Sequence, residues 1–280
     1  MKIAHNEPTP EEVIKEVIYG VIEGSELIAT LYLPKDKSVT LRPSVVYLHG
    51  GGWSQGTRKQ FFRQAAAMAS KGFVGLCIDY RLSIENQYPA SIQDAKCAVR
   101  YLRANAEQFS LDPDRIGAVG GSAGAHLSAC LATTGGGKKL EWEGTGGHQE
   151  YDSSIQAAVL FNGVFDLQTW WDYGKYNKLM TEFLEKPYDK DPELYYDASP
   201  VNHVDSRTCA CLLIHGEDDE AVPISQSINF HNRILSVGGH SEIIKVLGVG
   251  HGWFNSEPHF QFCLEPMMKF LLKQLGTEIT

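Results

Sequence analysis

The sequence predicts an α/β fold: a mostly parallel central sheet with helices on both faces. Two observations lead there. Short apolar runs of the buried-strand kind recur along the chain, among them SVVYLHG (44–50), FVGLCID (73–79) and CACLLIHG (209–216). Segments of helical length and spacing separate them, the alternation that parallel strands with crossover helices require. With 280 residues, 43% hydrophobic and 21% charged, the chain can bury a sizeable core. No internal repeat or linker interrupts it, so one domain over 1–280 is expected.

Residues 13–22 and 26–33 alternate apolar and polar side chains around the turn EGS and predict an antiparallel hairpin at a sheet edge. A strand at 44–48 follows, then a helix from about Arg58 to Ser70 and a strand at 73–79. Ile92, Ala95, Val99, Leu102 and Ala106 fall on one face of a helix over 91–108. The strand RIGAVG (115–120) leads into a helix at 123–133. Strands at 155–161, 209–216 and 242–248, with helices at about 224–237 and 259–275, complete the pattern. Two segments break the rhythm. The glycine-rich 134–152 should be a long loop. The aromatic 166–200 should be a partly helical excursion off one end of the sheet, a short inserted cap region.

The formal net charge of -9, with acids scattered and a single Lys–Lys pair at Lys138–Lys139, speaks against nucleic-acid or anionic-membrane partners. No apolar stretch nears the roughly 20 residues of a membrane span. The polar start, MKIAHNEPTPEEV, has no signal-peptide run, so the chain reads as cytoplasmic, a reading that a mature secreted form would share. Six dispersed cysteines in apolar segments are expected to be packed and reduced. Cys209 and Cys211 form no C-x-x-C motif, and the chain has no H-E-x-x-H motif. GGGKK (135–139) lacks the Ser or Thr of a phosphate loop. No metal or organic cofactor is expected.

Chemistry concentrates in four segments. In AVGGSAGAH (118–126), Gly120-x-Ser122-x-Gly124 lies between a predicted strand and a predicted helix. Small residues allow a sharp, strained turn that exposes the serine hydroxyl beside a helix N-terminus, where a developing anion is favoured. In LHGGGW (48–53), consecutive glycines let N–H groups converge on an oxyanion, with Gly51, Gly52 and Ala123 as donors. His49 suits a structural hydrogen bond in that loop. A serine needs a base. His251, in GVGHGWF (248–254) directly after the last strand, can reach back over the sheet edge. His240 falls at the opposite end of that strand, and His231 and His259 belong on flanking helices. In HGEDDEAVP (215–223), Asp218, Asp219 and Glu220 are all candidate acids by residue type. His126 reads as a packed core histidine.

Taken together and in this order, these segments resemble the α/β-hydrolase superfamily. The likeness is nearest to its esterase/lipase branch of hormone-sensitive-lipase-like and bacterial feruloyl- and acetylxylan-esterase-like enzymes, and it runs from about residue 15 to the C-terminus. That resemblance implies an α/β-hydrolase fold and a Ser122–His251–Asp219 triad. The family pattern H-G-x-x-D-x-x-V-P, laid on 215–223, selects Asp219 over Asp218. Gly121 stands where hormone-sensitive-lipase-like enzymes usually carry an acid, and only about 45 residues precede the oxyanion loop. The 134–152 loop and ASPVNHV (198–204) are more similar to the feruloyl/acetylxylan-esterase-like group.

The expected reaction is hydrolysis of small or medium acyl esters, including acetylated or feruloylated carbohydrate. Trp53, Trp171 and Trp253 are candidate substrate contacts, each with packing as its other reading. The same triad also serves amide, formamide, lactone and carbon–carbon hydrolysis, and the same scaffold serves non-catalytic ligand receptors.

Overall fold

The computed structural model describes residues 12–36 and 41–276. Its centre is an eight-stranded sheet with strand order β1-β2-β4-β3-β5-β6-β7-β8. β1 (Glu12–Ile22) and β2 (Ser25–Pro34) form the predicted hairpin. Their two-residue connection places Glu23 and Gly24 at positive φ (50° and 83°), the combination whose twist suits a tight hairpin. β2 runs antiparallel to β4 (Val74–Ile78). The remaining strands are parallel: β3 (Arg42–Leu48), β5 (Leu111–Gly121), β6 (Ala157–Phe161), β7 (Ala210–Gly216) and β8 (Ser241–Val246).

The central strands read as unbroken apolar runs because both faces are covered. On β3, Val46 and Leu48 face one core and Val45 and Tyr47 the other, following the period of two. The first core takes side chains from α2 (Ala90–Ala104), α4 (Ala123–Thr133) and α8 (Ser225–Ser236). The second takes them from α1 (Phe62–Ala69) and α9 (His259–Leu275), which carries Met267, Phe270 and Leu271 inward.

Two expectations shift in detail. The helix over 91–108 is divided at Asn105, where α3 (Ala106–Phe109) begins. Asn105 donates from Nδ2 to the Tyr101 carbonyl (2.8 Å), the local side-chain bond by which asparagine competes with the helical ladder. The 134–152 segment, the expected long loop, holds one short 3-10 turn (Leu140–Trp142) and is pinned by buried charge. Lys96, fully buried on α2, binds the Thr134 carbonyl (2.7 Å), Glu143 (2.8 Å) and Ser153 (3.1 Å), while Arg100 holds the other Glu143 oxygen (2.9 Å). Lys138 and Lys139 are likewise engaged, with Asp205 (2.9 Å) and Asp197 (2.6 Å).

The excursion over 166–200 consists of α5 (Leu167–Asp172), α6 (Asn177–Leu184) and α7 (Pro192–Ala198), inserted between β6 and β7. Asp166 caps α5 by accepting from the N–H groups of Gln168 and Thr169, and Asp191 caps α7, where Pro192 opens the helix. All six cysteines are free, and no described helix is long and apolar enough to cross a membrane.

Candidate active site

The chemistry-bearing residues sit at the carboxyl ends of the parallel strands, where open α/β sheets place their ligand sites. β5 ends at Gly121, and the next residue, Ser122, has φ 54° and ψ -118° before α4 starts. A non-glycine residue there is strained, at a cost on the order of 1–3 kcal/mol. The neighbours hold it in place. Ser122 N–H donates to the Phe161 carbonyl (2.8 Å), and the Ser122 carbonyl accepts from His126 N–H (3.1 Å). Neither flanking glycine can carry a side chain. A Cβ on Gly120 would lie 2.1 Å from the Gly124 oxygen, and one on Gly124 would lie 2.0 Å from the Leu48 oxygen. This close crossing of β5, α4 and β3 is what lifts the hydroxyl clear of the sheet.

His251 arrives on the loop after β8. Its Nε2 lies 3.0 Å from Ser122 Oγ and its Nδ1 2.7 Å from Asp219 Oδ2. The carboxylate can only accept, so Nδ1 carries the proton and Nε2 is left to accept from the serine hydroxyl. Asp219 stands on the loop after β7 and is buried, whereas Asp218 is exposed. Burial alone would raise the Asp219 pKa. The His215 and His251 rings beside it and the Val222 N–H outweigh burial and hold the carboxyl well below the usual carboxylate range. Its Oδ1 accepts from the N–H groups of Ala221 and Val222, both at 2.9 Å.

The glycine loop after β3 faces Ser122. Gly51 and Gly52 have φ of 124° and 59°, open to glycine and costly for other residues. Among the described residues no protein acceptor takes the N–H groups of Gly51, Gly52 or Ala123, whereas Gly50 N–H is held by Gln60 Oε1 (2.6 Å). His49 bonds the Gly50 carbonyl through Nδ1 (2.8 Å) and stacks on Tyr80, and burial lowers its pKa. His126 accepts from Trp53 Nε1 (3.2 Å) and donates from Nε2 to the Ala198 carbonyl (2.8 Å). Burial depresses its pKa to about 4.

These groups open onto a cavity of about 300 Å³. Val164, Trp170, Leu179, Val222 and Phe254 supply apolar walls, and no Asp, Glu, Lys or Arg lines it among the described residues. Of the three tryptophans expected at substrate, only Trp53 lines the cavity. It is fully buried, stacked on Phe183 at 4.3 Å. Trp171 instead packs against Tyr188 and Tyr195 inside the three-helix segment. Its neighbour Trp170, a helical step of about 100° away, lines the cavity and donates to the Ala221 carbonyl (3.0 Å). Trp253 packs against His259 and Phe262, and the next residue, Phe254, takes the place by the cavity.

Sequence reasoning passed over Asn162 and His215. Asn162 follows β6 and is fully buried. Its Nδ2 donates to Asp219 Oδ2 (3.1 Å) and to the Gly250 carbonyl (3.4 Å). Asn162-Gly163 reads as an ordinary turn; the usable signal was a polar residue ending a buried strand beside the serine strand. His215 Nε2 donates to the Val222 carbonyl (2.9 Å) and lies 3.3 Å from Asp219 Oδ2. Among the described residues no group of three or more His, Cys, Asp or Glu side chains could hold a metal ion.

Known proteins resemble this chain in sequence and in fold. The BD-FAE family model matches residues 30–234. Esterase LipC of Mycobacterium tuberculosis is 31% identical over 248 residues, covering 85% of this chain and 59% of its own. The chain spans about half the length of the curated relatives it matches. A propionate-bound esterase from the planctomycete Thermogutta terrifontis superposes with a TM-score of 0.82 at 27% identity, covering 97% of both chains. A truncated carbohydrate esterase from gut microbiota gives 0.83 at 27% identity, over 97% of this chain and 100% of that one. The chain thus belongs to the BD-FAE family and has the α/β-hydrolase fold.

Proposed function

We propose that this chain is a serine carboxylesterase for uncharged esters with a small to medium acyl group. The observation that carries this reading is the continuous Ser122–His251–Asp219 hydrogen-bond chain beside three N–H groups without a protein acceptor. His251 Nε2 takes the Ser122 proton as Oγ attacks the ester carbonyl, and Gly51, Gly52 and Ala123 receive the oxyanion. The C–O bond to the alcohol breaks as His251 returns the proton to the leaving oxygen. Water, deprotonated by the same imidazole, then attacks the acyl-enzyme and releases the acid. Asp219 fixes the tautomer and stabilises the imidazolium. The 166–200 segment acts as the cap, bringing Trp170 and Leu179 over the nucleophile.

Three features support the substrate class. The cavity stands at the lower end of the ~300–1,000 Å³ range of small-molecule sites. Its walls are mostly apolar and, among the described residues, include no Asp, Glu, Lys or Arg. The Thermogutta relative binds propionate, a three-carbon acid. Likeness to a carbohydrate esterase favours a sugar as the alcohol side, with acetylated or feruloylated carbohydrate as the narrower reading.

The test is labelling of folded protein with a fluorophosphonate probe, peptide mapping, and turnover of p-nitrophenyl propionate against matched amides and lactones. Stoichiometric label on Ser122, preference for the ester and a loss of ~10⁶-fold in kcat for Ser122→Ala are expected. An unlabelled folded protein would instead support a ligand receptor, and faster amide turnover would reassign the bond.

A further inference from the structure

We propose that Asn162 is a positioning residue of this site, which ties the acid loop to the histidine loop and keeps Asp219 an ionised acceptor. The inference rests on the esterase reading above and extends it to a residue on a third strand. Asn162 Nδ2 faces two acceptors from different loops, Asp219 Oδ2 after β7 and the Gly250 carbonyl beside His251. Two acceptors fix the amide orientation, since its oxygen would be repelled in that place. Asn162 Oδ1 is thereby turned into the interior, where it has no partner among the described residues. A buried orphan acceptor is unfavourable, and it is present because the donor end is occupied.

The backbone selects the same residue type. Asn162 has φ 48°, a conformation in which asparagine and aspartate are enriched among non-glycine residues. Its N–H is held by the Ile214 carbonyl (3.1 Å), so the amide is anchored from the sheet itself. The charged or titratable groups facing this amide are Asp219 and, through Asp219 Oδ2, His251 and His215. Oδ2 thus accepts from two donors, the Asn162 amide and the His251 imidazole, with His215 Nε2 3.3 Å away. A carboxylate so supplied has little tendency to take the Nδ1 proton when the imidazole becomes charged, and the ring stays aimed at Ser122.

Two substitutions separate this role from mere packing. Asn162→Gly keeps the positive φ but removes the amide. Asn162→Asp keeps the shape and conformation but sets a second carboxylate against Asp219. Steady-state hydrolysis of p-nitrophenyl propionate is measured from pH 4 to 9, with melting temperature as the check on folding. Asn162→Gly should lower kcat by about 10-fold or more with KM within two-fold, since misplacing a reacting group by ~1 Å costs up to 10²-fold. Asn162→Asp should shift the acidic limb of the kcat/KM profile upward, because added negative charge favours the imidazolium. Folded variants with wild-type kcat and an unmoved limb would overturn the proposal, as would a KM effect alone. A wild-type protein that turns over no ester would instead bring down the esterase reading.

Discussion

Asp218 and Asp219 are adjacent, identical in chemistry and opposite in circumstance. Asp219 is buried and receives N–H groups from two loop residues, an imidazole and an amide. Asp218 is exposed, and its backbone N–H bonds the Val249 carbonyl. Asp219→Asn should therefore cost on the order of 10⁴-fold in kcat by presenting the wrong partner to Nδ1. Asp218→Asn should leave kcat within about two-fold; equal losses in an initial-rate assay would reject Asp219 as the acid. Residue type alone left Asp218, Asp219 and Glu220 open, and only the motif resemblance separated them. The tryptophans were harder to read. Trp170 and Trp171 differ by one helical step, and no periodicity in so short a helix says which one faces the cavity. Gly121 is explained only by the fold: a Cβ there would meet the Phe254 ring at 2.5 Å, so an acidic side chain before the serine would need that ring to move.

At the scale of elements, His126 joins three of them: the oxyanion loop through Trp53, its own helix α4, and the end of α7 at Ala198. Its folded pKa, lowered by burial to about 4, lies below the unfolded value of about 6.5. The unfolded chain therefore binds the proton first as pH falls. The contribution is complete above pH 6.5 and is lost between 6.5 and 4, amounting to on the order of 3 kcal/mol for this fully buried group. Urea unfolding across that range should show stability falling with pH more steeply in the wild type than in His126→Gln; equal slopes would contradict the assignment. The strands and long helices were legible because their apolar runs and spacing are continuous. The helices of 166–200 were not resolved one by one. They are six to eight residues long, with α5 and α7 opened by aspartate caps and α6 by none. Nor was the interior charge of α2, since Lys96 and Arg100 look like a solvated face until Glu143 is brought to them.

For the whole molecule, the backbone of Ser122 carries a consequence that concerns endurance more than chemistry. The positive φ is imposed on a residue that disfavours it, and the surrounding crossing of β3, β5 and α4 bears the cost. Glycine at this position relaxes that torsion, and its greater freedom in the unfolded chain offsets only part of the gain. Ser122→Gly should accordingly raise the melting temperature by a few degrees while abolishing turnover, which differential scanning calorimetry and a rate assay can read from one preparation. A lower melting temperature would mean that the hydroxyl stabilises the native state more than the torsion weakens it. With the raised melting temperature, selection for heat resistance alone would drift toward an inert variant, and a thermostabilised form of this protein is best sought away from the serine turn.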